Sequence, residues 1–576
     1  DGRFWILDVE TGARTEIPFT ADVSLEIVEA VRPARSPVQD SVEARILQRP
    51  VLSPDGSQVV FSGLGRLWIG DLEDDALVTP RRLTRDAVRE YGPAFSADGR
   101  SVVYTTWDDE AGGAVRIVSA KGGRSRAITT TGAKYTHPTF SADGTSIAVL
   151  RGSGAHRRGG DLAYELWNDL VVLDVRSGGE RIVTETSGFL RAVRPRFSPD
   201  GRRLLFHEHG SAGPAMAETG LLVSVNLDGT DRRTVLDVGN ATEINPSPDG
   251  QWVAFQEDHH AWLAPWPKAG SPLPILKTGG AVPVWQLSAT AGGWTEFSAD
   301  GSTLSWIHGR ELRTLRLEDL TEWDDAEREE ARVEAEAAKA EELEEAVAGD
   351  PEAETPEEPV DPWAERPPSR GWTLDLRAPR AVPTGAVAFT GARVISMAGD
   401  EILESATVVV RNDRIVAVGD VPVPADAHVV DAAGKTIVPG IVDVHAHLHF
   451  SSWGTLPDQP WRYLANLAYG VTTVHDPSAY SETVFGQAEL VETGDMVGPR
   501  VFSTGTILYG ASGSFRSDVQ SKEDADRHVR RMKALGAISV KSYQQPRRDQ
   551  RQHVLHAHRD LLRGQRDHGR RPHVHE

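Results

Sequence analysis

Six blocks in the first half of the chain share one pattern of apolar and polar positions. Each block places an apolar residue and a Ser shortly before Asp-Gly, and an alternating apolar strand follows. The Asp residues of the six blocks are Asp55, Asp98, Asp143, Asp200, Asp249 and Asp300. Asp-Gly supplies the positive φ angles of a tight hairpin, and the alternation predicts a half-buried strand. Recurrence at intervals of 43 to 57 residues predicts one propeller blade per interval.

Each repeat also carries a second apolar strand, as at 66–72, 170–175 and 221–227. Residues 4–9 align with that second strand and lack a preceding Asp-Gly turn, so we expect the first blade to begin halfway through. The sequence therefore predicts about seven blades over residues 1–320. These repeats resemble the TolB-type propeller repeat of bacterial, often periplasmic, proteins. We interpret their Asp and Gly residues as turn formers, and no ligand site can be located in the propeller.

An acidic segment separates the two halves of the chain. Residues 322–365 contain 19 acidic and three basic residues, which contribute −16 of the net charge of −22. Their Ala- and Glu-rich first part predicts a solvated helix to about residue 345, and the Pro- and Glu-rich part after 350 predicts disorder. We interpret residues 321–370 as an acidic linker or insertion. The overall charge argues against a nucleic-acid partner.

The amino-acid composition excludes several kinds of chemistry but does not show the cellular compartment of the protein. The chain has no Cys, which excludes disulfides, thiolate zinc sites and a cysteine nucleophile. No apolar run is long enough to predict a membrane span. The first residues lack the features of a signal peptide and an initiator Met, so we expect the chain to begin inside a longer precursor. A periplasmic or secreted location is suspected only from the propeller type.

A histidine pair follows a strand-rich module in the second half. Short strands are predicted at 386–395, 406–410 and 414–419, and the run IVPGIVDVHAHLH follows at 437–449. Residues i and i+2 of a strand point to the same face. His445 and His447 can therefore present two imidazoles to one metal ion at the end of this strand.

In this order the segment closely resembles the amidohydrolase superfamily. The resemblance implies a β-sandwich, over residues 371–436, that leads into the first strand of a metal-binding (β/α)₈ barrel. It identifies His445 and His447 with metal ligands. His449 lies one step further along the same face and is expected to fall beyond the metal, where a supporting role stays open.

Helices and strands alternate after the histidine pair, as a parallel barrel requires. The predicted elements are helix 461–468, strand 471–477, helix 481–492, strand 500–504, helix 522–535 and strand 537–543. The last strand would be the fourth of the barrel. The fold class predicted is thus multidomain: an all-β propeller, then amidohydrolase β-sandwich strands, then the first half of a (β/α)₈ barrel over residues 437–545.

Lys541 stands on the predicted fourth strand. In binuclear members of the superfamily that strand carries a lysine whose carbamate bridges two metals, and Lys541 occupies the matching place. A bridging ligand must be anionic, bidentate and long enough to reach between two cations. Burial would favour carbamylation because it lowers the pKa of the amine.

The resemblance implies hydrolysis of amide, cyclic amide or dipeptide-like bonds by a metal-bound hydroxide. One or two divalent ions are expected, with zinc favoured. His475, near the end of the second barrel strand, and Tyr509, in a Gly/Ser-rich loop, are candidate substrate-binding residues, and a structural role for His475 stays open. The family's two further His ligands and its proton-accepting Asp cannot be assigned in this chain.

Residues 546–576 break the pattern. They are rich in Arg and contain six of the 19 His residues, with no strand or amphipathic character. We interpret them as an irregular tail that reflects a wrong reading frame or a truncated gene, and we do not expect their histidines to bind metal.

Two functions from different classes remain open. The first is a metal-dependent hydrolase of the amidohydrolase type, incomplete as written, that acts on small-molecule or peptide-like substrates. The alternative is a non-catalytic propeller binding protein with a protein partner and an inert barrel remnant. A peptidase whose propeller controls access to the barrel is a third possibility.

Overall fold

The computed structural model describes most of the chain. The described residues are 4–20, 39–73, 76–152, 154, 167–187, 194–212, 217–267, 272–277, 280–348, 366–448, 455–508, 519 and 521–542. The chain divides into two compact units, residues 1–36 with 559–576 and residues 37–558. Within the described residues the first unit consists of β1 (Phe4–Leu7) and β2 (Arg14–Ile17), which pair antiparallel.

The first part of the second unit is almost entirely β-structure. Its elements in chain order are β3 (Ser41–Glu43), β4 (Gln48–Leu52), β5 (Gln58–Gly63), β6 (Arg66–Asp71), β7 (Leu77–Val78), β8 (Arg81–Arg82), β9 (Arg89–Phe95), β10 (Ser101–Trp107), β11 (Val115–Ser119), β12 (Arg126–Ala127), β13 (Tyr135–Phe140), β14 (Ser146–Gly152), β15 (Trp167–Asp174), β16 (Glu180–Ser187), β17 (Arg196–Phe197), β18 (Arg203–Ala212), β19 (Ala217–Asn226), β20 (Arg233–Asp237), β21 (Glu243–Pro246), β22 (Trp252–Glu257), β23 (His260–Pro265), β24 (Trp285–Gln286), β25 (Gly293–Phe297), β26 (Thr303–His308), β27 (Glu311–Arg316) and helix α1 (Leu317–Ala348).

The remaining elements include every further helix of the described residues. They are β28 (Arg370–Leu374), β29 (Arg377–Pro379), β30 (Ala386–Ile395), β31 (Ile402–Arg411), β32 (Arg414–Gly419), β33 (Ala427–Asp431), β34 (Thr436–Ile437), β35 (Ile441–Asp443), α2 (Trp461–Ala468), β36 (Val471–Asp476), α3 (Ser481–Glu492), β37 (Arg500–Ser503) and α4 (Lys522–Leu535).

Six sheets of the described residues form a closed ring. Their strand orders are β4-β5-β6-β8, β9-β10-β11-β12, β13-β14-β15-β16, β17-β18-β19-β20, β21-β22-β23-β24 and β25-β26-β27-β28-β7. Each sheet shares a buried apolar core with the next one along the chain. A sixth core joins the last sheet to the first, with Trp294, Ile307 and Trp372 packed against Val59 and Phe61. This is the architecture of a β-propeller.

The Asp-Gly turns explain why the repeats fold alike. In all six, the Asp carboxylate accepts a hydrogen bond from the Ser hydroxyl two residues earlier, at 2.5 to 2.6 Å. The Gly that follows has a φ between 67° and 78°, which favours glycine. These side chains thus serve their own turns, as the sequence predicts.

The count of seven blades is not confirmed. Strand β1, expected to belong to a first blade, pairs with β2 in a separate two-stranded sheet of the first unit. The ring of the described residues closes without it, because β28 pairs with β27 and supplies the outer part of the sixth sheet. Residues 370–374, grouped by sequence with the acidic segment and the sandwich, therefore lie in the propeller sheet.

The acidic segment is an insertion within the sixth blade. Helix α1 follows β27 directly, and the next described strand, β28, pairs with that same β27. Leu317 and Leu320 anchor the start of the helix in the core of the fifth and sixth sheets. The indole Nε1 of Trp285 donates to Asp324, at 3.0 Å. The helix predicted for this segment is confirmed, and residues 349–365 lie outside the described residues.

A separate sheet precedes the histidine pair. Its strand order is β32-β31-β30-β33, and β34 also pairs with β30. The three strands predicted between 386 and 419 are all present, as β30, β31 and β32. One face packs a small core around Ala392, Val394 and Val408.

A three-stranded parallel sheet, β35-β36-β37, follows with helices α2, α3 and α4. These helices have the bounds that the periodicity predicts. Helix α4 begins with a reciprocal cap between Ser521 and Asp524 and ends at Gly536, whose φ is 111°. Reciprocal capping satisfies donors that the first turn of a helix leaves unpaired.

The fourth strand predicted at 537–543 is not formed within the described residues. Leu508 and Ser542 make a single parallel bridge there, and the amide of Leu508 donates to the carbonyl of Lys541 at 2.9 Å. A continuous strand needs a ladder of such bonds, whereas this stretch has one bridge on one side. A half barrel is accordingly not confirmed.

Candidate functional site

The histidine pair lies at the C-terminal edge of the parallel sheet. Strand β35 ends at Asp443, and His445 and His447 follow within four residues. The carboxyl ends of parallel strands meet at one edge, where α/β enzymes place their reactive groups. The end of β36 brings His475 and Asp476 to the same edge.

Local hydrogen bonds hold the two histidines beside each other. The carboxylate of Asp443 accepts from the amide of His445 at 2.9 Å, and the amide of Ala446 donates to the carbonyl of His475 at 3.1 Å. The rings of His445 and His447 are 5.2 Å apart between centroids, at an angle of 84°. The two imidazoles are therefore neighbours, as predicted, but they follow β35, which ends at Asp443, instead of lying on the strand.

The buried carboxylate of Asp476 supports the histidine pair. Its side chain is fully buried, and Oδ1 lies 3.4 Å from Nδ1 of His447. Oδ2 accepts from the amide of Leu448 and Oδ1 from the amide of Ser478, both at 3.0 Å. One carboxylate thus ties the histidine segment to the end of β36. Asp476 is not among the residues that the sequence predicts for the site, although it stands directly after His475 at the end of a predicted strand.

The imidazole of His475 contacts a different part of the chain from the histidine pair. Its Nε2 atom lies 2.8 Å from the hydroxyl of Ser539, which precedes Lys541 by two residues. This contact connects the end of β36 to the segment that carries the candidate bridging lysine. It is a positioning contact, and the role of His475 in substrate binding stays a prediction.

The structure gives less information on the remaining candidate site residues. Lys541 lies beside the bridge to Leu508, with its carbonyl engaged as described above. Tyr509 and His449 fall outside the described residues. Across the described part of the chain, no group of three or more His, Asp or Glu residues is arranged to hold a metal ion.

The donor set fits a divalent metal only in part. Two neighbouring imidazoles suit zinc and similar ions, and a carboxylate behind one of them is the usual support for a histidine ligand. A catalytic zinc site takes three protein ligands. Because the described residues bring together only two, they do not make a complete metal centre.

The propeller contacts the segment that follows the histidine pair. Arg89 of β9 is nearly buried and forms an ion pair with Asp458 at 2.9 Å, while its guanidinium also donates to the carbonyls of Asp458 and Asp495. The hydroxyl of Tyr91 donates to the carbonyl of Leu456 at 3.1 Å and lies 3.2 Å from the amide nitrogen of the same residue. The loop after β35 is therefore held by the second propeller sheet.

A second contact involves helix α3. Glu489 accepts hydrogen bonds from the backbone amides of Arg45 at 2.7 Å and Ile46 at 3.2 Å. Burial raises the pKa of Glu489 to about 7, against the lowering effect of these amides and of the Arg45 charge. The propeller and the parallel sheet thus share polar contacts with buried charged groups.

The class defined by this geometry is a β-propeller joined to a parallel β/α region with a histidine pair at its carboxyl edge. The chain is 36% identical to imidazolonepropionase of Vibrio cholerae over 68 residues, which are 11% of this chain and 17% of that protein. It is 33% identical to imidazolonepropionase of Streptomyces griseus over 120 residues, which are 15% of this chain and 31% of that protein. The similarity is confined to short stretches of this chain and of both relatives.

The matches to curated proteins are partial. The chain spans less than a third of the length of the curated relatives named above. No protein-family model matches it. TolB from Acinetobacter baumannii aligns with 48% of this chain and 61% of its own, at 15% identity and a TM-score of 0.32, which is too low to establish a shared fold. In the described residues, no helix has the length and apolar character needed to span a membrane.

Proposed function

We propose that the protein is a hydrolase of the amidohydrolase type that cleaves carbon–nitrogen bonds. The observation that carries this proposal is the histidine pair, held side by side at the carboxyl edge of a parallel sheet with Asp476 behind His447. The similarity to imidazolonepropionases supports the same class. Amides, cyclic amides and dipeptides are the proposed substrates.

The proposed roles follow from the contacts. His445 and His447 would hold a divalent cation, and that cation would supply Lewis acidity and an activated water when bound. Asp476 would keep His447 in orientation through Nδ1, and Nε2 would be the ligand atom of the ring. Lys541 is proposed as a bridging residue, and zinc as the metal, on the resemblance alone.

The experiment measures metal binding and hydrolysis on the full chain. Zinc binding is followed by equilibrium dialysis, and hydrolysis is assayed on an imidazolone compound, a hydantoin-like cyclic amide and a set of dipeptides. We expect zinc-dependent turnover that falls by at least about 100-fold in His445→Ala and His447→Ala. His428→Ala is the matched control, because His428 is an exposed histidine on the preceding sheet.

The second candidate is a propeller binding protein without catalysis. The closed ring of six sheets favours it, since the propeller cores are complete in the described residues while the parallel sheet has three strands. A chain that binds no zinc, or that hydrolyses substrates equally well after His445→Ala, would contradict the hydrolase and favour this alternative. Dipeptide cleavage without cleavage of folded proteins would instead support a peptidase with restricted access.

A further inference from the structure

A cavity lies where the sixth propeller sheet meets helix α4. Its volume is about 420 Å³, within the usual range of sites for small molecules. It is bordered by the loop 287–291, strands β26 and β27, residues 366–369 and the face of α4 at Arg530 and Ala534. None of its lining residues belongs to the histidine pair or to the residues that support the pair.

The walls of this cavity are largely apolar. The apolar residues that line it are Leu287, Ala289, Ala291, Trp306, Pro367 and Ala534. Leu287 and Trp306 also belong to the core that joins the fifth and sixth sheets, so packing holds this part of the wall in place. Walls of this kind suit the carbon part of a small ligand, while a few polar groups set its orientation.

Two side chains of opposite charge reach the cavity from strand β27. Glu311 and Arg313 are exposed, whereas Leu312 between them is buried. Alternate residues of a strand point to the same face and stand roughly 7 Å apart along it. The carboxylate and the guanidinium therefore border the cavity from one face of β27. Within the part of the chain that the structure describes, they form no ion pair with each other or with another residue.

The neighbouring strand β28 places an uncharged residue opposite each of these two groups. Thr373 faces Glu311, and its hydroxyl donates to the carboxylate at 2.9 Å. Gly371 faces Arg313, whose guanidinium lies over it so closely that a Cβ there would stand 2.8 Å from the guanidinium carbon. A side chain at position 371 would displace the guanidinium. Strand β28 thus leaves both charges in place at the cavity.

The other titratable groups at the cavity are engaged elsewhere or uncharged at neutral pH. Arg530 pairs with Asp526 at 2.5 Å. Burial lowers the pKa of His308 to about 4, and the charge of Arg531 lowers it further. Arg366 acts electrostatically on His260, which lies outside the cavity lining. We therefore assign the charged ligand contacts to Glu311 and Arg313 alone.

We propose that this cavity binds an α-amino acid with an apolar side chain, in its zwitterionic form. Arg313 would take the carboxylate through two N–H groups of its fork, and Glu311 would take the ammonium group. The apolar walls would receive the side chain. The two charges of one amino acid are adjacent, which suits partners two residues apart on a strand better than the distant termini of a dipeptide do.

The site is independent of the proposed hydrolase activity, because its residues are separate from the histidine pair. The test is calorimetric titration of the full chain with L-leucine at neutral pH and low ionic strength. We expect saturable binding of leucine. Isocaproate lacks the ammonium group and leucinamide lacks the carboxylate, so each should bind at least about tenfold more weakly. Isocaproate binding as tightly as leucine would reveal a simple anion site and overturn the proposal.

Two variants identify the groups that make the contacts. Arg313→Gln and Glu311→Gln should each weaken leucine binding by at least about tenfold. Arg313→Gln should also remove the advantage of leucine over leucinamide, and Glu311→Gln the advantage of leucine over isocaproate.

The matched control is Arg316→Gln. It removes an exposed arginine of the same strand that pairs with Glu318, and it should bind leucine as the wild type does. The titrations of wild type with the three ligands need no variant, so a misfolded variant cannot decide the outcome. The proposal is overturned if leucine does not bind at about 10 mM, or if Arg313→Gln and Glu311→Gln bind it as tightly as Arg316→Gln.

Discussion

The Oδ1 atom of Asp476 lies 3.4 Å from the Nδ1 atom of His447, and the carboxylate is fully buried. The same carboxylate accepts the amide of Leu448, so it orients both the ring and the backbone beside the candidate metal ligand. A buried acceptor behind a histidine ligand selects the tautomer that presents the other ring nitrogen to a metal. Asp476 therefore contacts both the ring of His447 and the backbone of the segment that carries the pair.

We expect Asp476→Asn to weaken zinc binding by about 10- to 100-fold, because the variant loses the charge that supports His447 and can accept only one of the two backbone amides that Asp476 accepts. The measurement is competition with a chromophoric chelator. Asp431→Asn, an exposed Asp on β33, is the control and should bind zinc as the wild type does. Equal affinity in Asp476→Asn and wild type would show that the carboxylate does not support a metal ligand.

Arg89→Met should loosen the loop that follows the histidine pair. Arg89, whose side chain is nearly buried, holds Asp458 and Asp495 through three contacts, and Met can make none of them. We expect faster hydrogen exchange in residues 455–460, measured by mass spectrometry. Arg100→Met is the control, since Arg100 is largely exposed and 3.9 Å from its partner. Unchanged exchange in Arg89→Met would mean that other contacts hold the loop.

The elements that sequence predicted well are those set by neighbouring residues. Helix α4 has its own cap at Ser521 and its own stop at Gly536, and the turn at Asp55 is closed by Ser53. The rings of His445 and His447 also lie side by side, although β35 ends at Asp443 and the pair therefore follows the strand instead of lying on it. For these features the local pattern contains the needed information.

The elements that sequence did not predict depend on distant partners. Residues 4–7 have the apolar pattern of a blade strand, but the sixth blade is completed by Trp372 and its neighbours across the acidic insertion. Asp476 acquires its role only through the register of β36 against β35. The last predicted strand, near Lys541, forms a single bridge, to Leu508, within the described residues. The local sequence pattern of a strand does not show which other strand will pair with it.

Glu296→Ala should destabilise the propeller strongly. Glu296 and Arg194 are both almost fully buried, with Oε1 and Nε 2.9 Å apart, and Arg196 contacts the same carboxylate. Burial opposes ionisation, but the charges of Arg196 and Arg194 outweigh it and lower the pKa of Glu296. Removal of Glu296 leaves the charges of Arg194 and Arg196 without this carboxylate inside the protein, which lowers the free energy of unfolding by about 3–5 kcal/mol.

The control for this change is Glu318→Ala. Glu318 pairs with Arg316 on the surface, where both side chains are mostly exposed, so the loss should stay below about 1 kcal/mol. Urea unfolding followed by tryptophan fluorescence measures both variants. Similar losses in Glu296→Ala and Glu318→Ala would contradict the assignment of a buried, mutually dependent charge cluster.

The contact between Glu489 and the amides of Arg45 and Ile46 should make stability depend on pH. Burial raises the pKa of Glu489 from its ordinary value of 4.5 to about 7, with the charge of Glu43 adding to the rise and that of Arg45 opposing it. The folded state thus binds a proton more tightly than the unfolded state between these two values. Stability contributed by this proton is complete below pH 4.5 and is lost as the pH rises to about 7.

Glu489→Gln should remove that dependence, because the amide oxygen still accepts the two backbone N–H groups but cannot ionise. We expect the midpoint temperature of unfolding to fall less between pH 5 and pH 7.5 in this variant than in the wild type, and to be higher than the wild-type value at pH 7.5. Glu401→Gln, at an exposed position, should follow the wild-type curve. Parallel curves for Glu489→Gln and wild type would show that Glu489 is already ionised throughout this range, and that the contact between α3 and the propeller does not respond to pH.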